Sequence, residues 1–179
     1  MENEIKKLSQ TEIYKGVRVH LVTEQILLPN GKETTWELIL HPGAAAVIPI
    51  DDEGKIIMVK QYRNASNGYT LEIPAGTLDA PDEDPLDCAR RELEEETGYY
   101  SDNVEFLYNF YSAIGICDEL IHIYVARNLI PSKQDLDEDE YIELSRFTLD
   151  ELVQMILSGE IKDNKTISSL LVYKTKFGL

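Results

Sequence analysis

Glu92, Glu95 and Glu96 are the residues of this chain best suited to chemistry, because carboxylates three and four positions apart on a helix share one face. They sit in the run GTLDAPDEDPLDCARRELEEETGYY, which begins at Gly76. Asp84 suits an N-cap, Pro85 the first helical position and Gly98 the position past the end, so the spacing predicts a helix from Pro85 to Thr97. Leu86, Ala89, Leu93 and Thr97 form its apolar stripe, with the three glutamates on an adjacent arc. Like charges at these spacings repel, and acids in the last turn also face the negative end of the helix dipole. Each effect is a few tenths of a kcal/mol. A cation reverses their sign. Hard divalent ions such as Mg²⁺ take oxygen ligands, and Arg91 can reach Glu95 one turn on to fix its rotamer. A Glu-rich run alone is more often just a solvated face.

The arrangement around the helix is more specific than the run itself. Arg91, Glu92, Leu93, Glu95, Glu96, Gly98 and Tyr99 follow the order Arg-Glu-apolar-x-Glu-Glu-x-Gly-apolar, and Glu83 stands eight positions before Arg91. In these residues the sequence resembles the Nudix hydrolases. One departure lies at the start, where six residues instead of five separate Gly76 from Glu83, an extra loop residue around Ala80-Pro81-Asp82. Such an insertion costs little, although it lets Asp82 compete for the place of Glu83. The resemblance implies an α/β fold, a mixed sheet between helices in an α/β/α sandwich.

GKETTWELILHPGAAAVIPI, KIIMVKQYR and LEIPAG resemble the ADP-ribose pyrophosphatase branch of that family over nearly the whole chain. That resemblance implies metal ligation by Glu92 and Glu96, with Glu95 close by and the backbone carbonyl of Ala75 completing the site. Mg²⁺ is the implied ion, with Mn²⁺ as a substitute. The implied reaction is hydrolysis of ADP-ribose to AMP and ribose 5-phosphate. Arg63 and Glu72 match substrate-contacting positions; a surface arginine at a strand end and a buried salt bridge explain them as well. Gly115, Asp118 and Glu119 match a loop beside the substrate. The general base of this branch lies far downstream, in DLDEDEYIEL here, where Glu140 is the first choice and Glu138 the second. A calcium loop through Asp135, Asp137 and Asp139 is excluded, because Glu140 stands where the turn needs Gly and Arg146 where the last ligand needs Glu. Ile114 occupies the place of a proline usual in the branch. GDP-mannose, ADP-glucose or binding of ADP-ribose without cleavage therefore stay open.

Charge and composition bound the partners. A formal net charge of −16 with no cluster of Lys and Arg argues against nucleic acid and anionic membrane surfaces. A phosphorylated small molecule remains compatible if metal ions bridge it to the protein. The longest apolar runs are far short of a membrane span, and MENEIKKLSQ lacks the apolar core of a signal peptide, so a cytoplasmic protein is expected. Cys88 and Cys117 have no metal-ligand spacing and are expected to be free thiols.

The elements that must position the acids come from pattern and punctuation. Two strand-like runs, Val17 to Leu28 and Glu33 to Leu40, flank Asn30-Gly31 as a hairpin. AAAVIPI, the turn Asp51 to Gly54 and KIIMVKQY read as a second hairpin. NVEFLYNFYSA and LIHIYVARNL read as strands after the acidic helix. Thr148 and Glu151 have capping-box spacing before a helix to Leu157, and Asp163 can cap a last helix through Val172 and beyond. At 179 residues and 43% hydrophobic content, the chain accommodates one well-buried domain with an appendage. Residues 1–42 are assigned to an N-terminal β unit that the resemblance makes a homodimerisation element, and 43–179 to the hydrolase domain.

Overall fold

The computed structural model describes residues 4–80, 82–136 and 140–179. Its first unit is an antiparallel sheet of β1 (Lys6–Lys15), β2 (His20–Leu27) and β3 (Glu33–Leu40), in that order. The Asn-Gly turn between β2 and β3 is present, with Gly31 at φ +81° and Leu28 N donating to Lys32 O at 2.8 Å. β1 is an addition to the sequence reading. Its lysines and polar residues do not alternate with a buried face, and every residue of it is exposed, so no burial pattern marked it as a strand. A turn closed by Gly16 N to Val19 O moves the start of β2 from Val17 to His20.

Residues from Ala44 onward form a mixed α/β sandwich. One sheet holds β7 (Ala75–Thr77), β4 (Ala44–Pro49), β10 (Leu120–Arg127) and β9 (Asn103–Tyr111), with β4 and β10 parallel. The other holds β12 (Ile142–Phe147), β5 (Ile56–Arg63) and β6 (Gly68–Glu72). A short pair, β8 (Tyr99–Tyr100) and β11 (Ile130–Pro131), follows the acidic helix. β4 is buried along its whole length because successive side chains enter two different cores. Ala44, Ala46 and Ile48 pack with Ile123, Leu152 and Leu170 toward α2 (Leu149–Leu157) and α3 (Asn164–Phe177). Ala45 and Val47 pack with Cys88, Ala89 and Leu93 of α1 (Pro85–Thr97). Helices thus cover both faces.

The second expected hairpin needs correction. The Asp51–Gly54 turn closes as read, with Gly54 N donating to Asp51 O at 2.9 Å, but only an isolated bridge, Ile50 to Ile56, joins its arms. β4 and β5 then diverge into separate sheets. Their continuous apolar runs are the reason, since a strand buried on both faces needs helices or a second sheet over it, not a solvated hairpin face. All three helices carry the caps expected of them. Asp84 accepts from Leu86 N, Gly98 takes the left-handed conformation at φ +69°, Thr148 and Glu151 form a complete capping box, and Asp163 accepts from Thr166 N. Both cysteines are free, and no helix of the described residues is long and apolar enough to cross a membrane.

Candidate active site

The chain between Glu72 and Thr77 crosses from one sheet to the other, and the site is built around that crossing. β6 ends at Glu72, Pro74 O accepts from Val47 N at 3.0 Å, and Ala75 opens β7 beside Ala46. A cavity of about 830 Å³ opens there. Its lining includes Glu92, Glu95 and Glu96 from α1, Arg63 and Glu72 from β5 and β6, Ala75 from β7, and Glu119 and Glu140 from later loops. Of the residues singled out in the sequence, Glu83, Ile114, Gly115 and Asp118 lie outside the lining, and Glu138 falls outside the described residues. Glu119 also faces His41, with Nε2 3.6 Å away.

Gly76 leaves room for the Glu92 carboxylate, since a Cβ there would occupy its position and make it swing aside. Arg91 supplies part of the positive charge that the acidic helix calls for. Its guanidinium donates to Glu92 Oε1 at 2.5 Å, Glu95 Oε2 at 3.0 Å and Thr77 O at 3.2 Å, and lies 3.5 Å from Glu83 Oε1. Glu83 in turn accepts from Asp79 N at 2.6 Å. The long loop therefore still delivers Glu83 to Arg91, while Asp82 is exposed.

Glu96 is the acid this cation does not reach. It is 3% exposed, and among the described residues its carboxylate accepts only from Ala75 N, at 3.0 Å. Burial, then the charge of Glu92, push the Glu96 carboxyl up to about 8. Burial also pushes Glu92 up to about 7, against the pull of Arg91 and with repulsion from Glu95 and Glu140. Among the described residues no three His, Cys, Asp or Glu side chains are already gathered as a metal cage. A buried Glu96 beside a partly buried Glu92 that shares Arg91 with Glu95 nevertheless fits a divalent ion with oxygen ligands and water. Glu92 and Glu96 would hold it.

Glu72 has the opposite environment. Arg63 donates to both its oxygens at 2.9 and 2.8 Å, Thr70 Oγ1 donates at 2.5 Å, and Lys165 from the first turn of α3 also reaches it. Lys165 further contacts Asp163 at 3.1 Å. Burial alone would raise the Glu72 carboxyl, but Arg63, Lys165 and Thr70 together hold it down at about 2. Lys165 and Arg18, both lining the cavity, were missed in the sequence. One signal for Lys165 existed, since a lysine in a helix's first turn opposes the dipole and asks for a reason.

Residues 40–170 match the family model described as the NUDIX domain. The chain belongs to the Nudix family. It is 40% identical over 178 residues to an ADP-ribose pyrophosphatase of Bacillus subtilis (strain 168), covering 98% of this chain and 96% of that protein. It is also 45% identical over 168 residues to a methanol dehydrogenase activator of Bacillus methanolicus, covering 92% and 89%. A crystal structure of an ADP compounds hydrolase shares the fold with a TM-score of 0.86 at 21% identity, over 98% of this chain and 95% of that one. The chain is thus a Nudix hydrolase, and members of its family generally use divalent metal ions.

Proposed function

We propose that this Nudix hydrolase cleaves the diphosphate bond of ADP-ribose, giving AMP and ribose 5-phosphate. The observation that carries the reading is the pairing, in one cavity, of undersatisfied Glu92 and Glu96 with the cations Arg63 and Lys165. Full-length likeness to a protein named ADP-ribose pyrophosphatase supports it. Bound Mg²⁺, or Mn²⁺ in its place, would neutralise phosphoryl charge and lower the pKa of a water molecule. Glu92 and Glu96 would hold that ion, with Glu95 and the Ala75 carbonyl beside them. Glu140, which lines the cavity and whose charge is felt at both glutamates, is the proposed base. The water oxygen bonds to phosphorus, the bridging P–O bond breaks, and the water proton passes to the Glu140 carboxylate as the second phosphate departs. Arg63 orients the diphosphate with Nη1, the guanidinium nitrogen that Glu72 leaves without a partner among the described residues. Purified protein with Mg²⁺ should convert ADP-ribose to AMP and ribose 5-phosphate faster than GDP-mannose or ADP-glucose. A reversed order of rates reassigns the substrate.

The 45% identity to a methanol dehydrogenase activator favours a second reading, stimulation of a dehydrogenase, which a coupled dehydrogenase assay with and without this protein decides. Residues 1–42 are proposed to join two copies, with 43–179 as the hydrolase domain of a cytoplasmic homodimer. β1 is a sheet edge exposed throughout, and Ile5, Leu8, Ile13 and Tyr14 on or beside it are about half exposed. Light scattering on the full chain and on one lacking residues 1–42 tests this.

A further inference from the structure

We propose that Lys165 and Arg63, held side by side by the buried Glu72 carboxylate, form a two-cation grip on the phosphate oxygens of the substrate, with Lys165 contacting substrate directly. The inference rests on the cavity being a nucleoside diphosphate site. A carboxylate offers about four acceptor positions. Those of Glu72 are taken by Arg63 Nε and Nη2, Thr70 Oγ1 and Lys165 Nζ. Glu72 therefore has nothing left for a donor on the substrate and serves as a positioning residue.

The unused capacity lies on the cations. Lys165 has three N–H donors, of which Glu72 and Asp163 take two among the described residues, and Arg63 Nη1 has no partner among them. Asp163 is itself occupied at α3, accepting from Thr166 N at 2.9 Å and Thr166 Oγ1 at 2.7 Å. Both cations line the cavity. Phosphate oxygens only accept, and so do the glutamates of α1 once ionised. Arg18 and Lys162 also line the cavity, but Arg63 and Lys165 are the two cations that meet on Glu72, so their spare donors are presented together. Holding both ends of Glu72 also fixes their spacing, so the grip is formed before the substrate arrives.

The test measures KM and kcat separately for wild type, Lys165→Met, Lys165→Gln and Lys165→Arg with ADP-ribose and Mg²⁺, and Lys174→Met serves as a control elsewhere on α3. Lys165→Met is expected to raise KM about 10- to 100-fold with kcat within about threefold, and Lys165→Arg to recover most of the loss. Lys165→Gln keeps hydrogen-bond donors without the charge and gives the same KM effect if Lys165→Met fails to fold. Calorimetry of inorganic pyrophosphate with Mg²⁺ should show weaker binding by a similar factor. An unchanged KM, or equal losses that Lys165→Arg does not rescue, overturns the grip. If wild type does not hydrolyse ADP-ribose, the substrate assignment fails by itself; equal pyrophosphate affinity in wild type and Lys165→Gln then overturns the grip independently.

Discussion

Glu72 and Glu96 line one cavity and are almost equally buried, at 2% and 3% exposed, yet their carboxyls sit at about 2 and about 8. Desolvation acts upward on both. Partners make the difference, because Glu72 is saturated by two cations and a hydroxyl, whereas Glu96 has one backbone N–H and a neighbouring glutamate. Burial therefore does not by itself tell an acid that serves the fold from one kept short of charge for a ligand. The count of donors around each carboxylate does.

The sharpest break of this contrast is Glu96→Gln. Turnover with Mg²⁺ should fall at least about 10³-fold, equivalent to roughly 4 kcal/mol of lost transition-state stabilisation. The metal-free melting temperature should hold or rise, since a carboxyl that must take up a proton to stay buried near neutral pH is replaced by a neutral amide. A variant that kept its turnover would remove Glu96 from the site. Glu72→Gln should do the reverse to stability, leaving Arg63 and Lys165 without their shared anion. With Arg63 partly exposed the cost is about 3 kcal/mol, or roughly 6–12 °C in melting temperature.

pH separates the same two residues by sign. The folded-state carboxyl of Glu72 lies below the ordinary 4.5, so its contribution is complete above about 4.5 and lost as pH falls toward 2. That of Glu96 lies above 4.5, so between about 4.5 and 8 the folded protein holds a proton that the unfolded chain has released. Metal-free stability should then decline as pH rises through that window. Added Mg²⁺ should reverse the decline, and a melting temperature equally insensitive to Mg²⁺ at pH 5 and pH 8.5 would contradict ligation by these acids. The smallest effect expected is Gly76→Ala, whose methyl group must displace the Glu92 carboxylate. It should weaken Mg²⁺ binding about 10-fold with little change in secondary structure by circular dichroism.

Helix ends were legible from sequence because Asp84, Gly98, Thr148, Glu151 and Asp163 act on backbone groups a few residues away. The acidic face of α1 was legible for the same local reason. β1 was not, since a strand without a buried face leaves no alternation to read. The parting of β4 and β5 was hidden too, because sheet membership depends on β10 and β12, which come much later in the chain. Lys165 lies 93 residues from Glu72, and no local pattern joins them. Its position against the helix dipole was the sole trace it left.

The strand crossing from Glu72 to Ala75 has a mechanical consequence. Three residues of extended chain limit the distance between those two Cα atoms to about 10–11 Å. The anchor of the cation pair and the N–H that fixes Glu96 thus belong to one short inextensible tether, although they lie in different sheets. The cation pair and the amide that holds Glu96 therefore cannot separate beyond that limit, so any larger opening of the cavity must come from elements off the tether.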